Sequence, residues 1–276
     1  MKRIAVGVDG SVSSGAAIRW ARTVADAVGA DVVMVNALSS ESQPDALELE
    51  RDERRQELAS AWSEATGAPA DEATIVIEPG DAREVLLAAV DSYEADLLVL
   101  GRSGSGGQPG FLHLGSVVEH VAHHIAVPLA VIPASWDGSL GRVVLGVDGS
   151  DDSRRAIDWV TVVAPALGAE VVAVEVAEPF LEWTPASSPD NWRRGVEQRI
   201  QEWTSGLAAG GVEVTAIAQR DMQPANGLLG VAAGRFADLL VVGARGLGGF
   251  AGLRMGGVAM KVLHQASMPL VMVAHG

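Results

Sequence analysis

Arg3-Ile-Ala-Val-Gly-Val-Asp-Gly-Ser11 and Arg142-Val-Val-Leu-Gly-Val-Asp-Gly-Ser150 are two copies of one segment, with Asp148 following Asp9 by 139 residues. Each copy runs on into a similar stretch, AAIRWA against RAIDWV, so that Trp20 and Trp159 stand at the same offset. Working outward, ADLLVLGRSGSGG from Ala95 returns as ADLLVVGARGLGG from Ala237, 142 residues on. The segment AVPLAVI around Pro128 returns as SMPLVMV around Pro269, 141 residues on. A self-similarity of this length means two homologous domains in tandem. They are expected at 1–137 and 138–276, joined by a linker over 134–141.

Each half alternates short apolar runs with segments of helical spacing, the pattern of a parallel sheet with crossover helices. In the first half residues 4–8 form such a run, which stops at Asp9-Gly10-Ser11. Apolar residues then recur at 17, 20, 21, 24, 25 and 28, an amphipathic stripe. Further strands are predicted at 31–37, 73–77, 97–100 and 129–132, with helices at 45–65, 83–93 and 116–124. The second half repeats the order, with helices near 153–167, 191–209, 225–234 and 258–265. The fold class is α/β: two tandem, doubly wound domains, each with a five-stranded parallel sheet. Ligands on such sheets sit at the carboxyl ends of the strands.

Composition narrows the function. In 276 residues the hydrophobic fraction is 48% and the charged fraction 20%, as in a globular protein. Lys and Arg number 20 against 35 Asp and Glu, a net charge of −15. That field repels phosphate backbones and anionic lipid, so general nucleic-acid or membrane-surface binding is disfavoured. With 0 cysteines there is no thiolate nucleophile, disulfide framework or Cys-based metal site. The apolar run after Met1-Lys2-Arg3 is too short for a signal peptide, and no stretch reaches the length of a membrane span, so a cytoplasmic location is expected.

The candidate chemistry lies at two strand ends and one glycine loop in each half. Ser11 or Ser13 caps the helix after Asp9-Gly10 and Gly10 turns the chain, a reading that needs no ligand. The second strand end, however, opens Gly101-Arg-Ser-Gly104-Ser-Gly-Gly107, with Gly110 and then Gly115-Ser116 at the start of a helix. Successive backbone N–H groups of such a loop converge on one concavity, and the helix adds its positive end, forming a phosphate cradle. Other residues have plainer readings. His120, His123 and His124 share a helix face without an accompanying carboxylate motif, and 48–57 is a solvated helix face. Trp183 and Trp192, among Pro179, Pro185 and Pro189, suit a cover or a partner surface.

Over its whole length the chain resembles the universal stress protein family, through VDGS, ADLLVVG, the glycine loop and the proline before the fifth strand. The resemblance implies a Rossmann-like domain of the adenine nucleotide alpha hydrolase-like type and, in the nucleotide-binding branch, the pattern G-x2-G-x9-G-[ST]. It implies ATP, with Mg possible, adenine near the first-strand Asp and the second strand, and phosphates in the glycine loop. By position Asp9 and Asp148 become adenosine-side contacts, and Ala37 and Val176 the wall for the base. Gly101, Gly104, Gly115 and Ser116 become the phosphate contacts of the first half, and Gly243, Gly246, Gly256 and Gly257 those of the second. Gly246 is expected where backbone approaches phosphate and φ is positive.

Both halves depart from that pattern. Gly104 to Gly115 encloses ten residues instead of nine, the extra one falling in Phe111-Leu-His-Leu114, where His113 is a candidate phosphate contact. The second half keeps nine but ends Gly256-Gly257, without the hydroxyl. A displaced loop misaims several N–H groups, whereas one neutral hydrogen bond is worth about 0.5–1.5 kcal/mol. Residues 1–138 hold 9 Lys and Arg against 21 Asp and Glu, residues 139–276 hold 11 against 14, and Arg245 and Arg254 flank the second loop where the first has Arg102. The second site is therefore expected to be the stronger.

No nucleophile–base pair accompanies the loop, so a nucleotide-responsive stress regulator is expected, working through a regulatory protein partner, and not a dedicated enzyme. A non-nucleotide interaction module of the same fold is the alternative. A flavodoxin-like electron carrier fits the sheet but lacks an aromatic pair for a flavin. The family's two-fold dimers imply an internal pseudo-dimer through 129–132 and 270–273, with further homodimerisation open. Separately expressed halves with no affinity for one another would remove that expectation.

Overall fold

The computed structural model describes residues 1–38, 44–72, 74–104, 114–177, 189–248 and 255–274. The chain divides into two compact units, Met1–Gly138 and Ser139–Gly276. In the first, β1 (Arg3–Gly7), α1 (Val12–Val28), β2 (Asp31–Leu38), α2 (Pro44–Thr66) and β3 (Thr74–Pro79) are followed by α3 (Ala82–Ser92), β4 (Leu97–Gly101), α4 (Ser116–His124) and β5 (Leu129–Ile132). In the second, β6 (Arg142–Gly146), α5 (Asp151–Leu167), β7 (Glu170–Ala177), α6 (Pro189–Trp203), α7 (Ser205–Ala209) and β8 (Val214–Arg220) are followed by α8 (Pro224–Gly234), β9 (Leu239–Gly243), α9 (Gly257–Gln265) and β10 (Leu270–Val273).

The strands of the first unit lie in the order β3-β2-β1-β4-β5 and those of the second in the order β8-β7-β6-β9-β10, all neighbours parallel. The chain moves outward on one side of β1 and then returns to its other side at β4. The crevice between the carboxyl ends of β1 and β4 is therefore the topological switch point, and β6 and β9 make the same one. Strands β4, β5, β9 and β10 are buried on both faces, which is why they read as unbroken apolar runs. β3 and β8, at the edges, carry exposed residues.

Helix α1 is capped by Ser11, whose side chain accepts from the Ser14 N–H, and ends at Gly29 in the left-handed region at φ 70°. Helix α5 repeats both devices with Ser150 and Gly168. Trp20 and Trp159, paired by the repeat, are both buried. The predicted helix over 191–209 is two helices: it starts at Pro189 and breaks at Thr204, whose hydroxyl donates to the Ile200 carbonyl at 2.8 Å. Such local side-chain bonding, with Gly206 just beyond, competes with a continuous helix.

The Asp of the repeated Ala-Asp-Leu-Leu works at the opposite end of the sheet from the switch point. Asp96 accepts from the backbone N–H groups of Lys2 and Arg3, and Asp238 from that of Arg142. Burial pushes the Asp96 carboxyl up, but the two N–H bonds more than offset this and hold it below the usual 3.8. A carboxylate with a depressed folded-state pKa adds stability above its unfolded pKa and loses it as pH falls through the folded value. Asp96→Asn is therefore expected to lower stability at pH 7 by about 1 kcal/mol, discounted for its exposure. The difference from wild type should fade below about pH 4 in denaturant melts, and a gap that persists undiminished at pH 3 would contradict this role.

Candidate functional site

Two turns and two loops build the crevices. After β6 the chain turns at Gly149, with φ 78°, and Asp148 Oδ1 accepts from the Ser150 N–H at 3.0 Å. The other oxygen, Oδ2, accepts from the Leu247 N–H in the glycine loop at 3.1 Å, while the Ser150 hydroxyl donates to the Arg245 carbonyl at 3.2 Å. Strand end and glycine loop are thus stapled twice. The first unit repeats the turn: Gly10 has φ 80°, Asp9 Oδ1 accepts from the Ser11 N–H at 3.0 Å, and the Ser11 hydroxyl donates to the Ser103 carbonyl at 3.4 Å.

Each glycine loop is closed by one backbone bond, from the Gly256 N–H to the Ala244 carbonyl at 2.8 Å and from the Gly115 N–H to the Arg102 carbonyl at 2.9 Å. Gly256 and Gly115 are then the N-caps of α9 and α4 and, being glycines, give the first turn no side-chain cap. The first N–H groups of these helices and the positive ends of their dipoles open toward the crevice. Gly246 is not in the left-handed region, contrary to expectation. It is required by closeness: a Cβ there would lie 2.5 Å from Asp148 Oδ2, and one at Gly104 2.8 Å from Asp9 Oδ2.

A cavity of about 570 Å³ occupies the first switch point and one of about 580 Å³ the second. Asp9, Ala37, Gly101, Gly104, Gly115 and Ser116 all line the first. Asp148, Val176, Gly243, Gly246, Gly256 and Gly257 all line the second. Either volume lies in the range of small-molecule and cofactor pockets. Gly101 and Gly243 also have a packing role, since a Cβ on either would press on the backbone of the first turn of α1 or α5, at 2.6 Å and 2.8 Å.

The two cavities differ in charge. On the second, Arg245 and Lys261 stand with Asp148. Asp152, only 2% exposed, accepts from the Arg245 backbone N–H at 3.0 Å and from its Nε at 3.3 Å, and Lys261 donates to Gln223 Oε1. On the first, the ionisable wall residues among those described are Asp9 and Glu119. The repeat places Ser13 opposite Asp152 and Ser103 opposite Arg245, and the two hydroxyls meet at 3.1 Å. An ion pair on a buried carboxylate in one unit is thus a neutral pair in the other. The repeat offsets carried this signal; Lys261, Glu119 and Asn36, a further wall residue, had none beyond their helix and strand positions.

Some expected contacts are not brought in. Arg102 is buried, burial pushes its guanidinium pKa down, and it does not line the cavity. It is therefore not a counterpart of Arg245. His120 and His124 stack at 4.2 Å on α4, and among the described residues no cluster of three or more His, Asp or Glu is placed to hold a metal. Residues 48–57 lie on α2, mostly exposed, and Trp192 on α6 lies under the Arg220 guanidinium at 4.1 Å. Gly106, Gly107, Gly110, His113, the extra loop residue, Arg254 and Trp183 lie outside the described residues. Among the described residues no helix is long and apolar enough to cross a membrane.

The sequence model of the Universal stress protein family matches residues 1–133 and again 140–274. The universal stress protein Rv2623 of Mycobacterium tuberculosis is 30% identical over 289 aligned residues, covering 97% of this chain and 95% of its own. Rv2005c of the same organism is 30% identical over 290, covering 97% and 95%. Among solved structures, a universal stress protein from Archaeoglobus fulgidus superposes with a TM-score of 0.73 at 20% identity, covering 99% of this chain and 98% of its own. The doubled sequence, the doubled switch-point fold and the doubled match have one explanation: this chain belongs to the universal stress protein family, as a tandem of two of its domains.

Proposed function

We propose that the chain binds ATP, with Mg as its counter-ion, at the switch-point cavity of the second unit and acts as a nucleotide-responsive stress regulator. The observation that carries this reading is the wall of the second cavity. There a glycine loop, an N-terminus of α9 without a side-chain cap, a buried-carboxylate-held Arg245 and Lys261 converge. Each favours an anion, and together they suit a polyphosphate. Both oxygens of Asp148 are engaged with backbone N–H groups, which supports a binding role for it over that of a general base. Met222 and Leu247, exposed at the cavity rim, offer a protein partner apolar contacts beside the ligand.

The test is to denature purified full-length protein, identify released nucleotide by chromatography, and titrate the nucleotide-free protein with Mg-ATP. Near one equivalent of ATP or ADP, or saturable Mg-ATP binding, is expected; a clean protein that also fails to bind Mg-ATP removes the reading. The same titration reports on Gly257→Ser. A Cβ at Gly257 meets nothing within 4 Å, so the hydroxyl is accommodated at the first position of α9. Affinity should rise by up to about tenfold, the equivalent of about 1.4 kcal/mol. Unchanged or weaker binding would place the phosphates away from that helix start.

A further inference from the structure

We propose that Asp152 is a positioning residue of the second cavity: it holds Arg245 so that the terminal nitrogens of the guanidinium meet the phosphates of the ligand. Asp152 thereby sets the preference of that cavity for a polyphosphate over a bare nucleoside. The inference rests on the ATP reading of the cavity and adds to it the residue that orients its cation.

Asp152 lies in the first turn of α5, is 2% exposed, and is not among the described residues of the cavity wall. Arg245 does line the wall, its side chain 31% exposed. The carboxylate therefore acts on a ligand through the arginine. Its Oδ2 accepts from the Arg245 backbone N–H at 3.0 Å and from Nε at 3.3 Å, while the Ser150 hydroxyl donates to the Arg245 carbonyl at 3.2 Å. Backbone and one edge of the guanidinium are thus fixed together. Among the described residues the two terminal nitrogens have no hydrogen-bond partner, so they are the donors left for a ligand. A planar guanidinium tied at Nε keeps those donors as a preset fork, which suits phosphate oxygens and lowers the ordering cost of binding.

Stability does not account for the pair. Burying a carboxylate beside a guanidinium carries a desolvation cost that pairing offsets only in part, and neutral groups in its place are often as stable. The first unit makes that exchange: Ser13, 3% exposed, stands at the place of Asp152 and meets the Ser103 hydroxyl at 3.1 Å. Helix α1 forms there with no acidic residue in its first turn. In the second unit the positive end of α5 is already complemented by Asp151, exposed on the same turn and paired with Arg154. What distinguishes Asp152 from these residues is its grip on the cavity's arginine.

The experiment uses the full chain, nucleotide-free, titrated calorimetrically with Mg-ATP and with adenosine as its competitor, beside thermal melts. Asp152→Ser gives this place the residue that the first unit has at 13. It should weaken Mg-ATP at least about tenfold, the loss of one charge-assisted hydrogen bond, and leave adenosine within about twofold. The sign of the effect discriminates: a carboxylate acting on the ligand by charge alone would oppose phosphate, and its removal would tighten Mg-ATP. Asp152→Asn keeps an acceptor oxygen for Arg245 and should bind Mg-ATP within about threefold of wild type or more tightly. Equal or tighter Mg-ATP binding by Asp152→Ser, an equal fall for both probes, or an Asp152→Asn as weak as Asp152→Ser overturns the inference. Where Asp152→Ser fails to fold, a loss of about tenfold in Asp152→Asn overturns it. Wild type that binds no Mg-ATP removes the ATP reading together with this inference, whereas every other adverse outcome removes this inference alone.

Discussion

Gly246→Val is expected to weaken Mg-ATP binding by the second unit at least about a hundredfold, with Asp148→Ala acting in the same direction by a smaller factor. A Cβ at Gly246 would lie 2.5 Å from Asp148 Oδ2, well inside contact distance, and valine adds two methyl groups beyond it. The carboxylate must leave the Leu247 N–H it holds at 3.1 Å, and the staple between strand end and glycine loop opens. The loop then no longer presents its amides together, and losing even two hydrogen bonds to a charged ligand, each worth about 1.5–3 kcal/mol, exceeds a hundredfold. Gly104→Val meets the same obstacle, Asp9 Oδ2 at 2.8 Å, but should change total ATP binding much less, because Arg245 and Lys261 have no counterparts among the described residues of the first cavity wall. The check is titration of both variants beside thermal melts. A Gly246→Val protein that melts normally and binds Mg-ATP within about threefold of wild type would show that the loop does not carry the phosphates.

The parts legible in the sequence are those on which one physical cause acts twice. Parallel strands covered on both faces must be apolar throughout, so β1, β4 and β5 read as short apolar runs and return at β6, β9 and β10. Turns that demand a positive φ and a capping hydroxyl return as Gly10-Ser11 and Gly149-Ser150. Side-chain direction is less accessible. Arg102 reads as the cation flanking the first glycine loop but lies buried outside the cavity, whereas Arg245, one place further along the repeat, lines the second cavity. The break at Thr204 is hidden because helical spacing continues on both sides of it. Asn36 looks like one polar residue in an apolar strand, and only the structure shows its amide N–H donating to the Val8 carbonyl. The exchange of Asp152 and Arg245 for Ser13 and Ser103 was open to inspection throughout, since two repeat offsets align both pairs.

Gly243→Ala is expected to destabilise the second unit by about 1–3 kcal/mol, although alanine adds a single methyl group. The glycine ends β9, and a Cβ on it would lie 2.8 Å from the backbone carbon of Asp152 and 2.8 Å from the backbone nitrogen of Ser153. No rotamer relieves a clash with backbone, so the first turn of α5 must move away from the sheet. That turn carries Asp152, which holds Arg245, and follows Ser150, which holds the Arg245 carbonyl. Loss of packing and loss of the cationic wall therefore come together, and nucleotide affinity should fall with the melting temperature. Gly257→Ala is the matched control: its Cβ meets nothing within 4 Å, and the helix start it occupies tolerates a side chain, so stability should be unchanged. Gly101→Ala, with the Ser13 backbone at 2.6 Å, should destabilise the first unit to a similar degree. Melts in which Gly243→Ala and Gly257→Ala are indistinguishable would mean that the strand end does not press on the helix as described. Gly243 would then owe its place to the ligand alone.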